Sequence, residues 1–286
     1  MLIMDIGNIT FAAVGIDLAK NKSTDCDRDF LRHLIINSIR GKFKKLSQSD
    51  EDVVLAVDSP HSWRKDFFPN YKANRQISRK ASAINWNSIF ESFNVILEEI
   101  RENLPYKFIK VPKLEADDII GILAFNFNDI KKRDSEKCII VSNDKDFCQL
   151  DVLPYVKRYR PISENFVKEP YPNDYLREQI IKGDRVDGIP NIKSSADAIV
   201  EGTRQSPITT KFLRECFNSN LSNLNENERK RYNDNKVLID LREIPQEYVK
   251  PVMEQLKYSN GKTKTDLFQY FAQHGLKSLA GSLTDF

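Results

Sequence analysis

The sequence predicts an α/β fold in which a mainly parallel central sheet is flanked by helices. Short apolar runs typical of strands alternate with longer segments whose apolar residues recur every three or four positions. Strands that alternate with helices need crossover connections, and such connections make neighbouring strands parallel. Three of the apolar runs also lead into an aspartate, which places acidic side chains where strands end.

The strand and helix signals can be assigned in order along the first part of the chain. The predicted strands are Leu2–Met4, Val53–Val57, Phe108–Val111, Cys138–Val141 and Pro154–Tyr159. The predicted helices between them are Phe30–Phe43, Trp86–Asn103 and Ala116–Phe127. Residues 1–170 are therefore predicted to form the α/β core.

From about Tyr171 onward only helical patterns remain. The predicted helices are Asn173–Ile181, Ser195–Glu201, Asn225–Ile239, Gln246–Tyr258 and Thr265–His274. The polar stretch Asn218–Asn227 is interpreted as a loop. Residues 171–286 are therefore predicted to form a second, smaller helical domain.

Composition excludes several classes of protein. The 286 residues are 40% hydrophobic, which is enough to form a core without disulfides or a structural metal. The four cysteines contain no C-x-x-C pair, so we expect reduced thiols in a cytosolic protein. No apolar run reaches the length of a membrane span, and Asp5 and Asp17 interrupt the apolar N-terminus, so neither a membrane anchor nor a signal peptide is expected.

Charge is distributed unevenly, although the formal net charge is only +3. Between Arg64 and Lys80, six basic residues face one acid, Asp66. The six are Arg64, Lys65, Lys72, Arg75, Arg79 and Lys80. This separation of basic and acidic residues is the first indication of a nucleic-acid partner.

Acidic residues gather at the predicted ends of strands and in three further motifs. They are Asp5, Asp58, Glu115, Asp117, Asp118, Asp144, Asp146, Asp184 and Asp187. Each alone could be a helix cap or a turn residue. Together they would crowd at least six carboxylates at one sheet edge, where their repulsion is costly unless cations compensate it. Magnesium prefers such oxygen ligands, and two ions can serve phosphoryl displacement.

The motifs in this order resemble the flap endonuclease or 5′-nuclease family. They are MDIGN, AVDSP, WRKDFFPNYKANR, LEADD, SNDKDF and GDRVDGIP. Similarity to the T-even bacteriophage ribonuclease H branch extends to RHLIINSI, NWNSIFES and the ending HGLKSLAGSLTDF, and so covers nearly the whole chain. The resemblance implies a PIN-like 5′-nuclease core with a helical arch, followed by a helical domain that contains a helix-turn-helix.

The resemblance also implies an activity and a cofactor. The expected protein is a Mg²⁺-dependent 5′→3′ exonuclease and flap endonuclease with ribonuclease H activity. It would remove RNA primers and adjoining DNA from 5′ ends during phage lagging-strand replication and leave 5′-phosphates. Two Mg²⁺ ions are expected, and Mn²⁺ is expected to substitute for them.

Site residues are carried over by their positions in the matching motifs. The tighter metal site would comprise Asp5, Asp58, Glu115 and Asp117. The second would comprise Asp144, Asp146 and Asp187, with Asp184 alongside. Asp118 would be either an indirect ligand or a helix-start charge.

The segment from about 63 to 88 resembles the basic arch of the family. Its implied nucleic-acid contacts are Arg64, Tyr71, Lys72, Arg75 and Arg79, among which Lys72 and Arg75 would hold the scissile phosphate. Phe67 and Phe68 are as readily explained by burial as by stacking on bases.

The segment Lys182–Val200 resembles the family's duplex-binding helix-turn-helix. Asn191 and Lys193 stand where the family has glycines, which leaves open whether a monovalent cation binds there. Lys193, Ser194 and Ser195 are expected to contact phosphate instead.

The expected partners are DNA and RNA–DNA hybrids with 5′ ends or flaps. Relatives also work with a single-strand-binding protein and a sliding clamp. The first strand begins at Leu2, so no N-terminal docking tail is expected, and the chain is expected to be a monomer without a membrane partner. The alternatives are a PIN-like single-strand ribonuclease and a non-catalytic replication accessory that binds branched DNA.

Overall fold

A six-stranded sheet forms the centre of the computed structural model, which describes residues 1–47 and 52–286. Its strands are β1 (Leu2–Asp5), β2 (Val53–Ala56), β3 (Lys107–Ile109), β4 (Cys138–Val141), β5 (Val156–Arg160) and β6 (Asn165–Val167). Their spatial order is β3-β2-β1-β4-β5-β6, and all neighbours are parallel except β5 and β6. The predicted α/β class with a mainly parallel sheet is therefore confirmed.

Helices account for most of the remaining ordered chain. Those before β6 are α1 (Ile6–Asn21), α2 (Arg28–Leu46), α3 (Trp63–Phe67), α4 (Ala73–Lys80), α5 (Trp86–Asn103), α6 (Ala116–Phe125) and α7 (Phe127–Ile130). Those after it are α8 (Pro172–Lys182), α9 (Thr210–Asn218), α10 (Glu226–Ile239), α11 (Val249–Lys257), α12 (Lys264–Gln273) and α13 (Lys277–Ala280). Short 3₁₀ helices cover Asp146–Val152, Leu241–Glu243, Gln246–Tyr248 and Leu283–Asp285.

The sheet is buried on both faces, which explains why its central strands read as continuous apolar runs. Along β1, Leu2 and Met4 join one apolar cluster, whereas Ile3 joins the cluster on the opposite face. Helices α1, α2 and α5 cover the first face, and α6 covers the second. This three-layer arrangement fixes the strand ends, and with them the residues that follow each strand.

The last helices return to the sheet. Phe271 of α12 lies in the same apolar cluster as α1 and α2, and Val252 of α11 lies in the cluster on the other face. The ring of Phe271 also lies 5.3 Å from that of Phe286. The division of the chain at residue 171 stays a prediction, because residues on both sides of it contribute to the two main clusters.

Helix α1 and strand β6 are among the elements that were not predicted from the sequence. Helix α1 lacks a clear apolar stripe because apolar residues also stand on its solvent-facing side, where Ile16 is exposed. The helix begins after Asp5, whose side chain caps it by accepting a hydrogen bond from Asn8 N. Strand β6 is a three-residue antiparallel strand at the sheet edge, and two of its three residues are exposed. Neither element carries the periodic pattern that a sequence prediction uses.

The predicted helix Ser195–Glu201 is wrong, and with it the second helix of the predicted helix-turn-helix. Hydrogen-bonded turns replace it, and Gly202 ends them with a φ of +67°. The Asn191 side chain accepts from Lys193 N and Ser194 Oγ, both at 3.0 Å. Such local side-chain bonds compete with helix formation, and only Ala198 of this segment is buried to support a helix by packing.

Two compositional predictions can be compared with the structure. Cys26, Cys148 and Cys216 are buried free thiols, as expected, and Cys138 is buried as well. Among the described residues, no helix has the length and apolar character needed to cross a membrane.

Candidate active site

The site lies where the strand order of the sheet reverses. From β1 the chain passes to β2 on one side and later enters β4 on the other. In open α/β sheets, the crevice at the carboxyl ends of the strands beside this reversal is the usual place for a ligand. Asp5 ends β1 here, and Ser142, directly after β4, donates a 3.0 Å hydrogen bond to Asp5 Oδ2.

Asp5 and Asp58 approach each other at this edge. Asp5 Oδ1 accepts from Asn8 N at 2.9 Å, and Asp58 Oδ1 accepts from Ala116 N at 2.7 Å. Gly7 lies between them, since a Cβ added there would be 3.3 Å from Asp58 Oδ2 and 3.8 Å from Asp5 Oδ1. A glycine is needed at this position to leave the space between the carboxylates open.

Mutual repulsion and burial raise several carboxyl pKa values. Burial and the charge of Asp58 raise the pKa of Asp5 to about 7. Burial and the charge of Asp144 raise the pKa of Asp146 to about 7 and that of Asp117 well above its ordinary value. The carboxylates therefore repel one another, and a bound cation would reduce this repulsion.

Glu115 has the opposite behaviour because it is surrounded by donors. Its Oε1 accepts from Lys72 Nζ at 2.5 Å, and its Oε2 accepts from Tyr71 OH at 2.9 Å and from Ser62 Oγ at 3.0 Å. Burial opposes its ionisation, but the charges of Lys72 and Arg64 outweigh burial and lower the pKa of Glu115 to about 2. Glu115 is thus held ionised.

The remaining acids enter from two loops. Asp144 Oδ1 accepts from Asp146 N at 2.8 Å, and Asp146 Oδ1 accepts from Gln179 Nε2 of α8 at 2.7 Å. Asp184 Oδ1 accepts from the backbone N–H of Val186 and Asp187 at 2.7 and 3.1 Å. A cavity of about 20 Å³ is lined by four of these acids, Asp117, Asp146, Asp184 and Asp187. We call Asp5, Asp58, Glu115, Asp117, Asp144, Asp146, Asp184 and Asp187 the acidic cluster.

Asp118 does not belong to the acidic cluster, and its contacts leave no place for it as a direct ligand of a metal. Its side chain has no solvent exposure and accepts from Trp63 Nε1 at 3.3 Å and from Glu115 N at 3.0 Å. Arg64 Nη1 lies 2.7 Å from Asp118 Oδ1. The helix-start interpretation is the one that applies, because the last two contacts cap α6 and neutralise the buried charge.

Arg64 and Tyr71 are not available to nucleic acid, so their assignment as contacts is wrong. Both are 3% exposed. Arg64 donates to Leu238 O at 2.8 Å and pairs with Asp118, and Tyr71 OH lies within hydrogen-bond distance of Glu115 and of Asp187. The basic and aromatic residues of this stretch were interpreted from the sequence as a binding surface, but Arg64 and Tyr71 belong to a buried hydrogen-bond network.

Lys72 and Arg75 do reach the acidic cluster. Lys72 Nζ lies 3.6 Å from Asp187 Oδ2 as well as beside Glu115, and Arg75 forms an ion pair with Asp187. Lys72 has a φ of +58°, and its N–H donates to Asp187 O at 2.7 Å. The segment between α3 and α4 is therefore fastened to the loop that carries Asp187.

Other predicted contacts lie farther out. Arg79 is exposed, Phe67 is 47% exposed, and Phe68 packs against an apolar cluster. Lys193, Ser194 and Ser195 line a separate polar cavity of about 590 Å³, which Lys230 and Arg231 of α10 also line. Lys193 Nζ lies 3.5 Å from the centre of the Phe212 ring. The sequence did not single out the basic residues of α10, because the numbers of acidic and basic residues in this helix are similar.

The donor chemistry of the acidic cluster fits hard divalent ions. Its donors are carboxylate oxygens, which Mg²⁺ prefers. Within residues 1–47 and 52–286, no three His, Cys, Asp or Glu side chains are already arranged around a common ion position. Lys72 and Arg75 reach in and pair with two of the acids. Ser62, Ser142 and Gln179 hold carboxylates in place and carried no sequence signal.

Comparisons with known proteins agree with this geometry. Residues 21–178 match the 5′-3′ exonuclease N-terminal resolvase-like domain, and residues 173–286 match the C-terminal domain of T4 RNase H. Ribonuclease H of Enterobacteria phage T4 is 30% identical over 97% of this chain and 94% of its own length. The exodeoxyribonuclease of Enterobacteria phage T3 is 31% identical over 68% of this chain and 60% of its own.

Solved structures share the fold at low sequence identity. The flap endonuclease D15 of bacteriophage T5, in a pseudo-enzyme-product complex with DNA and metal ions, is 16% identical and has a TM-score of 0.60. The match covers 90% of this chain and 99% of that one. The T5 5′-exonuclease with bound zinc has a TM-score of 0.59 at the same identity. The two family matches and the 30% identity to the phage T4 protein show that the chain belongs to the 5′–3′ exonuclease family, with the C-terminal domain of the T4 RNase H type.

Proposed function

We propose that this 5′ nuclease depends on two Mg²⁺ ions and hydrolyses phosphodiester bonds near the 5′ ends of DNA and of RNA–DNA hybrids, including 5′ flaps. The observation that carries the proposal is the acidic cluster, in which burial and neighbouring charges raise the pKa values of Asp5 and Asp146 to about 7. A bound divalent cation would neutralise the charges that burial and mutual repulsion make costly here.

The acids would divide between two ions. Asp5, Asp58, Glu115 and Asp117 would hold one, and Asp144, Asp146 and Asp187, with Asp184 beside them, would hold the other. When bound, such ions supply a water molecule of lowered pKa and neutralise the charge of the reacting phosphate. Mn²⁺, which takes the same oxygen ligands, is expected to replace Mg²⁺.

Lys72 and Arg75 have two sets of partners in the proposed cycle. In the absence of substrate they neutralise Glu115 and Asp187. With substrate they would turn to the scissile phosphate and steady the charge that develops on its oxygens. In the reaction, water adds to phosphorus, the bond to the 3′-oxygen breaks, and that oxygen takes a proton. The products are a 3′-hydroxyl and a 5′-phosphate.

Residues 171–286 would contribute the contacts to duplex DNA. The cavity lined by Lys193, Ser194 and Ser195 also contains Lys230 and Arg231. Its three basic residues exceed its two acids, Glu228 and Asp234, and its hydroxyl groups can donate to a phosphate backbone. Contacts to phosphate do not recognise particular bases, and this suits a nuclease that acts on both DNA and hybrids. The protein is expected to act as a monomer, and a single-strand-binding protein and a sliding clamp are its expected partners in replication.

The experiment uses a 5′-labelled flap and a 5′-labelled RNA–DNA hybrid, each incubated with Mg²⁺ and with EDTA. Short labelled products are expected only with Mg²⁺. Asp144→Asn is expected to abolish them, whereas Asp129→Asn, a matched change at an exposed acid on α7, should leave them unchanged. Internal cuts in single-stranded RNA that need no 5′ end would indicate a PIN-type ribonuclease, and binding without cleavage would indicate a replication accessory.

A further inference from the structure

A cavity of about 370 Å³ lies between the C-terminal end of α4 and the N-terminal end of α5, outside the acidic cluster. Its lining includes the rings of Trp86 and Phe90, the cations Arg79 and Lys80, and the amides Asn85 and Asn87. Its volume falls in the range of small-ligand sites, roughly 300–1,000 Å³. It combines aromatic rings with positive charge close to the candidate active site.

The aromatic rings form a supported platform. Trp86 and Phe90 lie 6.0 Å apart with an angle of 33° between their planes, and Phe11 of α1 packs behind Phe90 at 5.0 Å. Trp86 and Phe90 are only partly buried, so part of each ring remains open. The guanidinium carbon of Arg79 lies 4.6 Å from the centre of the Phe90 ring. Stacked aromatic and guanidinium groups of this kind bind nucleobases.

Within the described part of the chain, the cations of the cavity have no acidic partner. Arg79 and Lys80 are exposed and form no ion pair with any carboxylate of residues 1–47 or 52–286. Burial and the charge of Arg75 lower the pKa of Arg79, as expected for a cation near another cation. Helix α5 has 18 residues and no acid in its first turn, so its N-terminus adds positive potential. The cavity is therefore suited to a phosphate beside the rings.

The cavity is linked to the candidate active site along α4. Arg75 forms an ion pair with Asp187, and Arg79 follows four residues later on α4, about 6 Å along the helix axis. Phe11, which supports the platform, lies on the helix that begins directly after Asp5. A strand whose phosphate rests at the acidic cluster would need only a short step to reach the cavity.

We propose that this cavity holds one unpaired nucleotide of the 5′ strand, with its base on Trp86 and Phe90 and its phosphate between Arg79, Lys80 and the N-terminus of α5. The inference rests on the proposed function, because it requires a substrate with an unpaired 5′ segment. It adds a base-stacking subsite that would favour such substrates over blunt duplexes.

Binding without catalysis tests the subsite. Fluorescence anisotropy in EDTA compares duplexes that carry a 5′ single-stranded tail, in which one tail nucleotide at a time is abasic. Stacking contributes about 1–3 kcal/mol per base, which corresponds to roughly 5- to 140-fold in affinity. The wild type should lose affinity in that range at one tail position. Trp86→Leu should lose the same factor with the intact tail and show no further loss with the abasic one.

Two further variants separate stacking from structure. Trp86→Phe retains a ring and should bind nearly as the wild type does, which distinguishes a lost platform from a folding defect. Arg79→Gln should weaken tail binding and reduce the slope of log affinity against log salt by about 1. Trp86→Phe should leave the affinity for a blunt duplex unchanged.

A spectroscopic measurement uses the two tryptophans of the chain. Trp63 is buried, and its Nε1 donates to Asp118, so Trp86 is the ring open to a ligand. A short oligothymidine should quench the fluorescence of the wild type and leave that of Trp86→Phe nearly unchanged. Equal weakening at every tail position, equal loss on blunt duplexes, or no quenching would overturn the inference. Failure of Mg²⁺-dependent cleavage with the binding pattern intact would instead count against the proposed function alone.

Discussion

Replacement of Arg64 by methionine is expected to destabilise the fold rather than weaken DNA binding. The side chain is 3% exposed, and its Nη1 lies 2.7 Å from Asp118 Oδ1 and 3.3 Å from Glu115 Oε2. Methionine keeps much of the volume and removes the charge. Two buried carboxylates would then lose their shared cation, and Leu238 O would lose a donor. Breaking a buried ion pair from one side costs about 3–5 kcal/mol.

The magnitude can be checked by thermal and urea unfolding in EDTA. For a domain of 150–250 residues, each kcal/mol shifts Tm by roughly 2–4 °C, so a decrease of roughly 6–20 °C is expected for Arg64→Met. Arg75→Met serves as the matched control, because the side chain of Arg75 is 39% exposed and its pair with Asp187 is accessible to solvent. Such a pair is worth no more than about 1 kcal/mol.

A double variant tests the cause. Asp118→Asn keeps an oxygen that can cap α6 but removes the charge that Arg64 neutralises. Arg64→Met combined with Asp118→Asn should therefore be more stable than the sum of the two single changes predicts. The reasoning would be refuted if Arg64→Met melted within about 2 °C of the wild type, or if the two changes were additive. A selective loss of DNA affinity at unchanged Tm would restore Arg64 as a nucleic-acid contact.

Three other predictions follow from the site. First, because the folded-state pKa values of Asp5 and Asp146, about 7, lie above those of the unfolded chain, the metal-free protein binds extra protons, and its stability should fall as pH rises from about 4 to 7. The free energy of unfolding, measured by urea titration in EDTA, should be lower at pH 8 than at pH 5 by at most ~3 kcal/mol per group. Mg²⁺, or the change of both residues to asparagine, should reduce the difference; a flat profile in EDTA would contradict this. Second, Lys72→Ala should lower the single-turnover cleavage rate with Mg²⁺ by about 10²–10³-fold, and an unchanged rate would remove Lys72 from the chemistry. Third, Gly183→Ala should lower the urea midpoint strongly, because φ is +68° and the added Cβ would lie 2.3 Å from a backbone oxygen. Gly202→Ala is the control, since its φ is +67° but nothing lies within 4 Å of the added Cβ. Equal losses of stability in the two variants would show that backbone strain, and not the steric clash, is the cause.

The sequence was a good guide wherever one local rule governs a segment. The strands β1, β2 and β4 were recognisable because a strand buried on both faces must be apolar throughout. Helix α5 was recognisable from its apolar periodicity. Ser195–Glu201 failed because side-chain hydrogen bonds at Asn191 and a left-handed Gly202 outweighed a weak helical pattern.

The candidate site divides in the same way. Asp5 and Asp58 could be placed at one edge from sequence, since the carboxyl ends of parallel strands meet there. The orientation of Arg64 and Asp118 could not, because a basic residue in a basic stretch and an acid at a helix start have ordinary surface roles in a sequence. Only their burial against each other shows that they stabilise the fold.

The order of residues by itself determined the fold class, the family motifs and the set of acids that can meet, because strand periodicity and the parallel arrangement are local consequences of the chain. The tertiary structure decided which charges face one another. It turned Asp118 and Arg64 inward, fastened Lys72 to the loop of Asp187, and left the rings of Trp86 and Phe90 partly open beside cations that pair with no acid of the described chain. Those pairings depend on distances between residues far apart in sequence, and no local pattern encodes them.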